Sequence, residues 1–364
     1  MARTCYIHLG MPKTGSTSIQ KTLLGYRDER VIYGGLQNHN HSNYLTFLFS
    51  DRASEIVTPK PAKVRFLYNL QKSKLVYDSE VNGRSDLILS SENISARLNE
   101  VELSEMHASL RKHFDRIRIL MYVRPVKGYA ASVFQQQLKA GLRKFEIPDP
   151  VYRKRTENVI KAFGRENIEF RLFDRKTLLN GDVVDDFLSF VNIDSAQIKH
   201  VVVNESFSLE ACSIVFLNNI LNNALAPLLR SSTPFQKERH RLAVATALGS
   251  FGTGKLGFTD SIIDGYVARN AKDIDYMTAL TGFDLIGTKT VVEEPVRSAE
   301  HLFGVAYRHL PEALQILQEK DRKSAKSRPI RRGKLTAKPP SRIRNLFRTA
   351  KRRVLRVLTP RPKR

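Results

Sequence analysis

The feature that most constrains this 364-residue chain lies at its start, where an apolar strand runs through a glycine-bounded loop into a helix. The stretch reads Cys5-Tyr6-Ile7-His8-Leu9-Gly10-Met11-Pro12-Lys13-Thr14-Gly15-Ser16-Thr17-Ser18. Cys5, Tyr6, Ile7 and Leu9 are strand formers. Gly10 and Gly15 allow a tight backbone, and Ser16, Thr17 and Ser18 are small hydroxyl residues suited to a helix start. Such a turn gathers unsatisfied backbone N–H groups and the positive end of a helix at one point, where an anion binds. The glycine spacing fits a phosphate loop. A nucleotide-hydrolysing loop, however, carries lysine directly after its second glycine. Here Ser16 holds that place and the lysine is Lys13, so the loop cradles a phosphate-like group without the build of an ATPase.

A second segment points the same way. Ile117 to Val123 reads as a buried strand, followed by Arg124-Pro125-Val126-Lys127-Gly128-Tyr129-Ala130-Ala131-Ser132. Pro125 suits the first position of a helix. Arg124 then ends the strand on the ligand side of an open parallel sheet, and Ser132 lies two helical turns further on roughly the same side. A guanidinium fork matches a phosphate dianion better than an ammonium does.

The run Pro12-Lys13-Thr14-Gly15-Ser16-Thr17-Ser18 resembles the 5′-phosphosulfate-binding loop of sulfotransferases that use 3′-phosphoadenosine 5′-phosphosulfate (PAPS). Arg124 and Ser132 resemble, in type and spacing, the pair with which those enzymes read the 3′-phosphate. The layout is most like bacterial proteins grouped with carbohydrate sulfotransferases. The resemblance implies in-line transfer of a sulfuryl group from PAPS to an acceptor hydroxyl, on a carbohydrate or polysaccharide, with no metal. Lys13 would neutralise charge on the departing oxygen. An acceptor hydroxyl also needs a general base. Glu92, after the strand Asp86–Ser90, is one candidate, although some sulfotransferases carry a histidine at the end of this strand. His41, in the loop Gly34–Asn43, is the other, with His39 beside it. A late loop, Gly252-Thr253-Gly254-Lys255-Leu256-Gly257, is a weaker candidate for closing on the 3′-phosphate or the acceptor.

Alternating strands and helices predict an α/β fold, a three-layer P-loop-type parallel sheet flanked by helices. The strands are expected at Thr4–Leu9, Val31–Tyr33, Asp86–Ser90, Ile117–Val123 and Ile168–Leu172. Helices are expected at 16–24, 101–113, 125–140, 151–163 and 183–191. From about Asn204 the pattern turns helical, with helices at 210–225, 237–248, 260–280 and 299–318. The expected organisation is a sulfotransferase domain over 1–319, with the α/β core in 1–203 and a helical C-terminal cap in 204–319. A disordered basic linker over 320–340 and a basic amphipathic tail over 341–364 follow.

Two cysteines, Cys5 and Cys212, form neither a disulfide framework nor a metal-ligand spacing. No apolar run is long enough to span a bilayer, and the strand at Thr4 leaves no room for a signal peptide. The expected location is cytoplasmic, peripheral on the inner face of the membrane. The formal charge of +24 is concentrated: from Lys320 to Arg364 there are 19 Lys/Arg and one acid, which leaves +6 on the preceding residues. In the tail, Ile343, Leu346, Phe347, Ala350, Val354, Val357 and Leu358 share a helical arc of roughly 120°, with arginines and Lys351 around it. Such a segment lies on an anionic membrane surface, and specific nucleic-acid binding is not expected. Two other readings are a P-loop kinase using ATP and magnesium on a small molecule, and a nucleic-acid-binding protein acting through the tail.

Overall fold

Alternate residues of a strand face opposite sides of a sheet, and the first strand of this chain is buried at all six positions. A protein built on such a strand must cover both faces. The computed structural model describes residues 2–36, 38–53, 63–201, 203, 206–221, 225, 237–289 and 291–326. In chain order the elements are β1 (Thr4–Leu9), α1 (Ser16–Leu23), β2 (Val31–Tyr33), α2 (Ser42–Phe49), α3 (Lys63–Val81), β3 (Asp86–Ser91), α4 (Ile94–Arg97), α5 (Glu100–Arg111) and β4 (Arg116–Val123). There follow α6 (Val126–Lys139), α7 (Tyr152–Phe163), β5 (Ile168–Leu172), α8 (Val183–Phe190), α9 (Leu209–Ile220), α10 (Lys237–Ala247), α11 (Asp260–Arg269), α12 (Ala271–Thr281) and α13 (Ala299–Lys326). The strands pair in parallel in the order β2-β3-β1-β4-β5. The fold is α/β, a parallel P-loop-type sheet flanked by helices.

The described residues divide into two compact units. One draws on 1–129, 149–204 and 267–288 and holds the sheet; the other draws on 130–148, 205–266 and 289 onward and is helical. This differs from a single division near residue 203. A stretch of the expected core, 130–148, joins the helical unit, and 267–288 joins the sheet unit. The expected helix over 260–280 is accordingly two helices, broken at Asn270, whose φ of −100° and ψ of 9° leave the helical range.

In the sheet unit each face has its own core. Cys5, Ile7 and Leu9 of β1 join Leu87, Leu89, Ile119 and Met121 beneath Leu103, Met106 and Leu110 of α5 and Val159 and Phe163 of α7. On the other face Tyr6, Ile88, Leu120 and Tyr122 pack against Ile19 and Leu23 of α1 and Val184, Phe187 and Phe190 of α8. The helical unit is held by aromatic contacts. Phe134 meets Phe258 edge to face at 5.4 Å between centroids, and Phe216 of α9 stacks on Phe303 of α13 at 5.5 Å.

Three helices, α2, α3 and α4, have no counterpart in the expectations above. α3 shows why: among its described side chains the buried ones are Ser73, Tyr77, Glu80 and Val81, which make no apolar stripe. Glu80 is nonetheless used, because its carboxylate accepts the Gly35 N–H at 2.9 Å. At the other end α13 runs to Lys326, into the stretch expected as linker. The tail over 341–364 lies outside the described residues. Among those described, no helix is long and apolar enough to cross a membrane.

Candidate active site

Parallel strands end on one edge, and the three central ones end at Leu9, Ser91 and Val123. Gly10, Glu92 and Arg124 therefore leave the sheet side by side, and the Gly10 N–H still donates to Ser91 O at 3.2 Å. A β-carbon at Gly10 would lie 2.1 Å from Ser16 Oγ and 3.3 Å from Glu92 Cγ, so only glycine lets the loop close over this point. Gly15 has φ of +75°, and a β-carbon there would lie 2.6 Å from Val183 Cγ1. Lys13 is also left-handed, with φ of +68°.

The loop leaves donors for a ligand. Ser18 and Ile19 donate their N–H groups to Gly15 O at 2.9 and 3.3 Å, but those of Thr14, Gly15, Ser16 and Thr17 meet no backbone acceptor among the described residues. The Ser16 hydroxyl is buried, 1 % exposed, and has no hydrogen-bond partner among them. Unpaired amides and an orphaned hydroxyl around a glycine cradle fit the oxyanion group that the loop resemblance implies. Thr14 and Ser18 brace the loop instead: Thr14 Oγ1 donates to Met11 O at 2.7 Å, and Ser18 Oγ accepts from Val203 N at 3.3 Å. Pro12 and Thr17 are half-buried.

Arg124 comes back to this loop from β4. Its Nη1 donates to Lys13 O at 2.7 Å, and its guanidinium lies 5.4 Å over the Phe173 ring. Burial draws its pKa down to about 10, with Tyr152 and Tyr129 opposing. Ser132, the expected partner, sits on α6 in the part that belongs to the helical unit.

One residue of the site escaped the sequence reading. Arg155, in the first turn of α7, donates through Nη1 to Glu92 O at 3.4 Å, and its buried Nε has no partner among the described residues. Burial lowers its pKa, with Tyr129 and Glu92 opposing. Nothing in the run Arg153-Lys154-Arg155 singles it out; only the fold shows that Arg153 and Lys154 are exposed and Arg155 turns inward.

The two loop histidines differ from each other. His41 is fully buried, accepts the Ser90 N–H on Nδ1 at 3.1 Å, donates its own N–H to Ser90 O at 2.9 Å, and packs 4.7 Å from Tyr33. Burial lowers its pKa to about 3. His39 is half-buried, and its pKa is lowered by burial and by Lys21. His8 of β1 is held like His41: its Nδ1 meets Ser90 Oγ at 2.8 Å, and burial lowers its pKa to about 3. The bonds of His41 are those of a brace between its loop and β3, whereas Glu92 stands at the cradle.

The late glycine loop has its donor already occupied. The Glu210 carboxylate accepts from Gly254 N at 3.2 Å and would lie 2.5 Å from a β-carbon at Gly252. A phosphate placed there would face that carboxylate. Elsewhere, Asp182, Asp185 and His200 bring potential metal-ligand atoms within 4.8 Å of one another. Asp182 caps α8 there, accepting Val184 N at 2.7 Å, and Asp185 accepts from Asn180 Nδ2 at 3.2 Å.

No family model matches the chain, and no curated protein matches it. Among solved structures, a sulfotransferase from Alicyclobacillus acidocaldarius is similar at a TM-score of 0.37 and 14 % identity, over 64 % of this chain and 98 % of that one. A sulfotransferase domain from the curacin biosynthetic pathway is similar at a TM-score of 0.32 and 14 % identity, over 53 % of this chain and 75 % of the other. Likenesses this slight carry no argument about function.

The buried histidines make stability depend on pH. Each has a folded pKa near 3 against an unfolded value of about 6.5, so the unfolded chain binds more protons between those limits. Their contribution is full above about pH 6.5 and falls as the pH drops. For two groups the loss between pH 7.5 and 5.5 is about 3 kcal/mol. Urea unfolding at the two pH values checks this, and His41→Gln should show about half the change. A wild type equally stable at both would contradict it.

Proposed function

We propose that the chain is a sulfotransferase that moves a sulfuryl group from PAPS to an acceptor hydroxyl. The observation that carries the reading is the loop after β1, whose Thr14–Thr17 amides meet no backbone acceptor and whose buried Ser16 hydroxyl has no partner among the described residues, while Arg124 reaches the Lys13 carbonyl. The ATP-kinase reading lacks the lysine after Gly15, and β3 runs into Ser90-Ser91-Glu92 rather than a metal-binding aspartate.

PAPS, when bound, supplies an activated sulfuryl group on a phosphate leaving group. In this reading the loop amides and Ser16 Oγ hold the 5′-phosphate, and the Lys13 ammonium neutralises charge on the bridging oxygen. Arg124, with Ser132 by resemblance, takes the 3′-phosphate. Glu92 accepts the proton of the acceptor hydroxyl, with the Arg155 guanidinium beside it donating to its backbone carbonyl. The transfer is metal-independent. A sugar hydroxyl, on a carbohydrate or polysaccharide, is the acceptor that the resemblance implies. The basic tail is proposed to hold a cytoplasmic enzyme against the anionic inner face of the membrane.

Lys13→Ala should lower turnover at saturating PAPS by about 100-fold or more, the scale of a lost oxyanion donor, measured as release of adenosine 3′,5′-bisphosphate. Near-wild-type turnover would remove Lys13 from the chemistry. Glu92→Gln should lose turnover to a similar extent with donor binding intact; if it stays active and His41→Ala does not, the base is His41.

The tail is tested separately. Full-length protein should sediment with phosphatidylglycerol vesicles at low salt, and a chain ending at residue 340 should not. Equal sedimentation of both would end the membrane assignment.

A further inference from the structure

We infer that Arg124 is a positioning residue for the loop as well as a phosphate ligand, so that recognition of the 3′ and 5′ ends of the donor is coupled through one side chain. The inference rests on the sulfotransferase reading but concerns a different step, the shaping of the cradle itself.

Lys13 holds φ of +68°, a left-handed conformation that is unfavourable for a residue with a β-carbon. Such a conformation persists only where its surroundings impose it. One contact reaches Lys13 from far along the chain at its carbonyl oxygen, which accepts from Arg124 Nη1 at 2.7 Å. The bond has a structural consequence. A carbonyl turned toward the guanidinium is turned away from the anion, and the amides that follow are left as donors. The peptide that carries this carbonyl also carries the Thr14 N–H, which meets no backbone acceptor among the described residues and joins the free first-turn amides of α1.

Arg124 is itself fixed by its frame. Its carbonyl accepts the Tyr152 hydroxyl at the start of α7. The next two amides, Val126 N and Lys127 N, donate to Leu285 O at 2.8 Å and Ile286 O at 3.2 Å. A β-carbon at Gly287 would lie 2.4 Å from Pro125 Cβ, so that turn is pressed against the proline. The side chain therefore works from a rigid base. A 3′-phosphate that engages the same guanidinium also acts on the shape of the loop.

The alternative is that Arg124 reads the 3′-phosphate and nothing else. Calorimetric titration of wild type, Arg124→Met and Arg124→Lys with adenosine 3′,5′-bisphosphate and with adenosine 5′-monophosphate separates the two. Coupling predicts that Arg124→Met, which has no donor, loses about tenfold in affinity even for the monophosphate, which has no 3′-phosphate to lose. Arg124→Lys, which can still donate to the carbonyl, should restore most of the monophosphate affinity but not that for the bisphosphate. Amide hydrogen exchange without ligand adds a second readout: residues 11–16 should exchange faster in Arg124→Met while β1, β3 and β4 stay protected. Unchanged loop exchange with monophosphate affinity within twofold of wild type overturns the coupling and leaves the sulfotransferase reading standing. A wild type that does not bind the bisphosphate overturns that reading instead.

Discussion

Parallel pairing is the constraint from which the site follows. Strands that run the same way end on the same edge, so the order β3-β1-β4 sets Glu92, Gly10 and Arg124 in a row although they lie far apart in the chain. The loop after the middle strand then has neighbours on both sides. From β3 the Glu92 side chain closes against Gly10, and from β4 a guanidinium holds the carbonyl of Lys13. A glycine-bounded loop between a strand and a helix is by itself a common turn. The flanking strand ends give this one its shape and its charge.

Charge in the site is held at some cost. Arg124 and Arg155 are both drawn out of water far enough to lower their pKa values, and Tyr129 lies within electrostatic reach of both. Burying guanidinium groups is unfavourable unless something negative is gained. In the proposed enzyme the gain comes with the donor and the acceptor, which bring the anionic groups and developing charge that these cations meet. Glu92 is the carboxylate placed among them. His8 and His41 at the same edge are both buried and tied to Ser90, and burial lowers their pKa values to about 3.

Much of this was legible in the residues, and the parts that were not have physical reasons. Four strands could be read from short, mostly apolar runs and β5 from its alternation of Ile168, Phe170 and Leu172 with Glu169 and Arg171, and the loop because two glycines and a proline leave few conformations. Arg124 was legible through the proline that follows it. Arg155 was not, because its inward turn depends on how α7 lies across α4 and β3. His41 looked like a polar loop residue, and only the fold shows its ring against Tyr33. The loop Gly252–Gly257 looked open to a phosphate until Glu210, more than forty residues earlier, proved to fill it. α3 escaped because the ends it ties down are polar: Glu80 serves the Gly35 amide rather than an apolar stripe.

The central claim is that the loop after β1 is built for the bisphosphate end of PAPS rather than for a nucleotide triphosphate with magnesium. Calorimetric titration of the full chain with adenosine 3′,5′-bisphosphate in the presence of a chelator, and with ATP and magnesium, tests it most directly. The account predicts tight, metal-independent binding of the bisphosphate and at least about tenfold weaker binding of ATP with magnesium, a difference of about 1.4 kcal/mol. Preference for ATP with magnesium, or bisphosphate binding that disappears with the metal, would contradict it.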